Sequence, residues 1–82
     1  MRSTTIDLVK DVLREVCYEI SDTEGYRGMG IPTIAKRTKL GSDRLYKIVN
    51  GKAGINGIPF EVYHKISKKY PYVRPKLRRL LL

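Results

Sequence analysis

Ser42, Asp43, Arg44, Tyr46 and Lys47 crowd a short stretch in which each side chain ends in a charged or hydrogen-bonding head. Leu45 and Ile48 lie among them, three positions apart. On a helix those two apolar residues face inward, Ser42, Asp43, Tyr46 and Lys47 take the opposite face, and Arg44 falls at its edge. Lysine and arginine donate to guanine O6 and N7 in the major groove, and aspartate accepts from cytosine N4. Asp43 admits two readings, a base-specifying contact or a carboxylate that favours a helix start through the dipole. Just upstream, Lys36, Arg37 and Lys39 offer cations to phosphates, contacts that position a protein without specifying sequence. Any one of these lysines alone reads as a solvated charge; the cluster carries the signal.

Other chemistries find little support. His64 has no evident nucleophile or metal-ligand set around it, and no glycine-rich phosphate loop is present. One histidine and one cysteine cannot build a four-ligand zinc site, and Cys17 alone cannot form an internal disulfide. The expectation is a protein that is not an enzyme, with no cofactor and no small-molecule substrate. The formal net charge is +9, and it is unevenly spread. Residues 1–30 carry four basic groups against six acidic ones; residues 31–82 carry thirteen against only Asp43 and Glu61. Such a concentration calls for a polyanion, nucleic acid before an anionic membrane surface. No run of 18 apolar residues and no signal-peptide core occurs, so the chain reads as cytoplasmic, with Cys17 suited to a reducing compartment.

The elements that must position these residues follow from periodicity. Val9, Val12, Leu13, Val16, Cys17 and Ile20 recur at threes and fours, which predicts a helix over about 3–20 with a weak capping pattern from Thr4 and Asp7. Cys17 falls on that stripe and reads as core. Gly25, Gly28 and Gly30 break the pattern, leaving 21–30 as a connector, with an arm that touches a partner as the alternative. Pro32 suits a first helical turn, and a short helix then runs to about Lys39. Gly41 and Ser42 break it, with Ser42 as expected N-cap of a third helix that Asn50 and Gly51 end. After a loop at 53–58, Pro59 starts a fourth helix to about 70, with Val62 and Ile66 inward, Tyr63 and Tyr70 close by, and Pro71 as its stop. A tail helix follows over about 74–82, with Val73, Leu77, Leu80 and Leu81 spaced to lie together. One all-α domain of five helices is expected.

The segment from Ile34-Ala35-Lys36 through Leu40, then Leu45 to Lys52 with its Asn50-Gly51-Lys52 ending, resembles the lambda-repressor/Cro family of helix-turn-helix proteins. Lys65-Ile66 in the next helix fits as well. Ala35 gives the small side chain that two crossing helices need, and Leu40 can plug the core from the turn. The likeness covers about Ile31 to Tyr70. It implies a compact lambda-repressor-like domain with the helix at 42–50 in the major groove of double-stranded DNA. Thr33 would stand near a phosphate; Ser42, Asp43 and Lys47 would read base edges. Arg44 and Tyr46 would reach bases or phosphates, and Asn50 and Lys52 would touch backbone. The family usually has glycine where this chain has Lys39, in a turn that is often left-handed. The connector after the first helix is also longer than usual.

The resemblance further implies a homodimer on two half-sites, and the apolar tail at Val73, Leu77, Leu80 and Leu81 is the expected interface, with folding back onto its own core as the alternative. Tyr18, Tyr63 and Tyr70 read as core, whereas Tyr26, Tyr46 and Tyr72 read as free. The function expected is a sequence-specific transcriptional regulator, phage-repressor-like. The alternatives are an antitoxin-type autoregulator or a DNA-binding or recruitment module of a packaging or replication complex.

Overall fold

A long amphipathic helix forms the base on which the rest of the chain is laid. The computed structural model describes the backbone of residues 5–52 and 58–81. Helix α1 spans Thr5–Glu24 and buries Val9, Val12, Leu13, Val16, Cys17 and Ile20, the whole expected stripe. Burial pushes the Cys17 thiol up to about 12, so it stays protonated. The capping role expected of Thr4 and Asp7 lies outside the described residues.

The helix runs past the expected end at 20, because nothing between Ser21 and Glu24 breaks it and Ser21 is itself buried. Gly25 stops it at φ 80°, where the amides of Gly25 and Tyr26 both donate to the Ser21 carbonyl, at 2.8 and 2.9 Å. The Ser21 hydroxyl donates in turn to the Tyr26 carbonyl at 2.9 Å. The connector therefore shrinks to 25–30 and is folded. Tyr26, expected to be free, packs against the core, and its hydroxyl lies 3.1 Å from that of Tyr70. Gly30 is required twice over: its φ is 64°, and a Cβ there would stand 2.9 Å from the Tyr26 ring. Tyr18, expected in the core, is 56% exposed, one position and so about 100° round from the stripe.

Two eight-residue helices follow, α2 at Ile31–Thr38 and α3 at Ser42–Val49. They pack on each other across a three-residue turn. Ile31, Ile34, Ala35 and Thr38 face inward from α2, and Leu45, Ile48 and Val49 from α3. Leu40, in the turn, is buried. Lys39 occupies the left-handed region at φ 63°, ψ 27°, and both its amide and that of Leu40 donate to the Ala35 carbonyl. Gly41 at φ 86° is the N-cap of α3; Ser42 is the first helical residue and makes no side-chain cap, so the capping role expected of it falls to its neighbour. At the other end Asn50 keeps a negative φ of −97° and Gly51 takes the positive φ of 72°. The Lys52 amide then closes the turn on the Lys47 carbonyl at 2.8 Å. Arg14 Nε, reaching across from α1, donates to the Val49 carbonyl at 2.9 Å and satisfies one of the open acceptors at that helix end.

Helix α4 spans Ile58–Lys69, with Val62 and Ile66 fully buried, and Tyr70 and Pro71 close it. Of the loop expected over 53–58, residues 53–57 lie outside the described residues, and Ile58 is already helical, one residue before the expected start at Pro59. The tail consists of a 3₁₀ turn at Pro71–Val73, a one-turn helix α5 at Arg74–Leu77 and a second 3₁₀ turn at Arg78–Leu81. Val73, Leu77 and Leu80 are buried in the protein's own core, 0%, 0% and 8% exposed, against α1 and α4. Within the single chain this matches the fold-back alternative: the apolar surface expected to meet a partner is covered by the protein's own core. The physical reason is that so short a chain has little core, and each such side chain stabilises the fold by about 1.5–3 kcal/mol when buried. Ion pairs from Lys76 to Glu19 and from Arg79 to Glu15 fasten the tail, and the Tyr72 hydroxyl donates to Glu24 at 2.8 Å. The Leu81 side chain lies outside the described residues. The described chain is all-helical, with a radius of gyration of 11.5 Å, close to the roughly 12 Å of a compact domain of this length.

Candidate nucleic-acid interface

The solvent face of α3 carries Ser42, Asp43, Tyr46, Lys47 and Asn50, all exposed. Their backs are held by Leu45, Ile48 and Val49, which are at most 2% exposed, so α3 is pinned to the core along its inner side while its outer side stays open. Asp43 sits in the first turn and Lys47 in the last, each at the end its charge suits. Tyr46 is 45% exposed, a large ring left in solvent beside Lys47.

Arg44 is held differently from its neighbours. Its guanidinium pairs with the Glu61 carboxylate on α4, which also accepts from Lys65 Nζ at 3.0 Å. Those two cations pull the Glu61 carboxyl down to about 2. Arg44 therefore braces α3 against α4, half-exposed, and is drawn toward that brace instead of standing free beside Lys47. Sequence reading missed Glu61; the signal open to it was the Glu61–Lys65 spacing of four on one helix.

On α2, Thr33 is half-buried and borders a shallow depression with Pro32, Lys36 and Arg37. Lys39 projects from the turn, and its carbonyl accepts from Lys65 at 3.4 Å. Lys52 is exposed just past the end of α3. Among the described residues Lys36, Arg37, Lys39, Lys47 and Lys52 have no acidic partner within ion-pair distance. The tail cations Lys76 and Arg79, by contrast, are matched by α1 carboxylates. Two α1 carboxylates are thus used on the tail, whose Arg74 and Arg78 have no such partner among the described residues, and further open positive charge lies on α2, α3 and their flanks.

Lys68 and Lys69, in the last turn of α4, border the same region as Lys39 and went unassigned from sequence. A lysine at a helix end is common, and only the fold puts these two beside Arg37. His64 is exposed and stacks on the Phe60 ring, centroids 5.9 Å apart, with no His, Cys, Asp or Glu cluster suited to a metal among the described residues. No helix among the described residues is long and apolar enough to cross a membrane. Compared with models of known families, with curated proteins and with solved structures, the chain matches none.

Proposed function

We propose that this chain is a sequence-specific double-stranded DNA-binding regulator of the phage-repressor kind. In this reading α2 and α3 form a helix-turn-helix, and α3 enters the major groove. The single observation that carries the reading is the outer face of α3, open and polar, flanked by cations that no carboxylate answers. A helix pinned on one side and bare on the other suits a groove about 12 Å wide. Lys47 and Ser42 reach base edges. Asp43 accepts from a cytosine amino group or favours the helix start. Thr33, Lys36, Arg37, Lys39, Tyr46, Asn50 and Lys52 contact backbone. Arg44, tied to Glu61, contributes to the groove chiefly by fixing the angle of α3. The left-handed Lys39 supports the likeness to the lambda-repressor/Cro family, because the chain turns there as a glycine would.

The buried tail favours a second reading in one respect. With Val73, Leu77 and Leu80 covered, a two-fold dimer needs another surface, and a monomeric recruitment module in a packaging or replication complex does not. Substituting Lys47→Ala separates the two. A regulator loses affinity for its selected site by about 1–3 kcal/mol while binding to random duplex changes far less. Equal losses on both duplexes would remove base reading from Lys47.

A further inference from the structure

The C-terminal turns of α2 and α4 converge on an open cleft of about 310 Å³ lined by Arg37, Thr38, Lys39, Lys65, Lys68 and Lys69. All but Thr38 are cations, and the Thr38 hydroxyl is engaged internally with the Ile34 carbonyl at 2.7 Å. Ordinary helix electrostatics explains part of this. Each helix C-terminus carries roughly half a negative charge, so the two ends together offset about one cation. Glu61, 3.0 Å from Lys65 Nζ, offsets another. About three positive charges stay uncompensated in one cleft, a self-repelling arrangement that a polyanion relieves.

The position of the cleft identifies the polyanion. Arg37 lines both this cleft and the depression formed with Pro32, Thr33 and Lys36 at the start of α2. The two form one basic track from the first turn of α2 to the last turn of α4. We infer that the α2–α4 cleft is a second phosphate-binding subsite, which takes backbone phosphates of the same duplex beyond those met at Thr33 and Lys36. The inference rests on the proposed function for the identity of the polyanion, and is independent of which bases α3 reads. It gives Lys65, Lys68 and Lys69 a role in affinity and register that carries no sequence information.

The experiment is the salt dependence of duplex binding by the full chain, compared between wild type, Lys68→Gln with Lys69→Gln, and Arg37→Gln. Both sites are exposed, and circular dichroism of each variant establishes that the helices persist. The logarithm of affinity against the logarithm of salt flattens by about 0.9 for each phosphate that the protein no longer neutralises, so by close to 2 for the double variant. The loss is the same on selected and random duplexes. A double variant that binds with the wild-type slope would overturn the subsite, whatever Arg37→Gln does, because Arg37 also lines the depression at the start of α2. If wild type shows no sequence preference and Lys47→Ala changes nothing, while the double variant still flattens the slope, the cleft stands and the reading of α3 falls.

Discussion

Lys39 turns the chain between α2 and α3 at φ 63°, where an L side chain crowds the following carbonyl at a cost of about 1–2 kcal/mol. Glycine escapes that crowding but loses more freedom on folding, roughly 0.5–1 kcal/mol. The balance predicts that Lys39→Gly stabilises the protein by about 0.5–1 kcal/mol in urea unfolding, whereas Lys39→Val destabilises it. A less stable glycine variant would mean that the Lys39 side chain holds the turn in a way its backbone angles do not require. Glu61 is the second residue whose environment makes a prediction. Its carboxyl is held down to about 2 from an ordinary 4.5 by Arg44 and Lys65. A depressed acid stabilises the fold fully above its unfolded value and loses that contribution as pH falls from about 4.5 toward 2. Unfolding measured across that range therefore shows a stability gap between wild type and Glu61→Gln that narrows as the pH drops. A gap independent of pH would show that the pairing does not survive in solution.

At the scale of elements, the tail decides what kind of object this is. Leu77 is fully buried between α1 and α4, so Leu77→Ala should cost about 2–5 kcal/mol in unfolding free energy and leave the sedimentation mass of the remaining folded protein unchanged. A mass that falls by half, with little loss of stability, would return the tail to an intermolecular role. The tail also shows where reading a sequence runs out. Its apolar spacing was legible, but what covers it was not. Burial against α1 depends on contacts some sixty positions away, such as Arg79 with Glu15, that local periodicity does not carry. The stripe of α1 was legible because repetition at threes and fours is a local signal. The end of α1 was misplaced by four residues because Ser21 is buried by Tyr26 and its turn, and a serine announces no such partner. The cap of α3 shifted from Ser42 to Gly41 for a related reason, since Gly41 can take the positive φ that the turn after Lys39 needs. In the candidate interface, the outward face of α3 followed from Leu45 and Ile48, whereas the Arg44–Glu61 brace and the α2–α4 cleft needed the fold.

Across the whole molecule, charge is sorted by layer. Glu15 and Glu19 of α1 meet two of the tail cations, while Lys36, Arg37, Lys47, Lys68 and Lys69 on α2, α3 and the end of α4 have no acidic partner among the described residues. That asymmetry gives the molecule a preferred approach to a polyanion, α2 and α3 first and α1 behind. In the proposed reading this asymmetry would draw the protein to DNA with a steep salt dependence, and would leave sequence choice to a few side chains on α3. The proposed function requires that those side chains read bases. It is tested most directly by selecting bound duplexes from a random pool and measuring the affinity of the enriched sequence against random duplex at one salt concentration. One short enriched motif is expected, bound roughly 10³-fold or more tightly than random DNA. A pool that stays random after repeated rounds, with all duplexes bound alike, would contradict it.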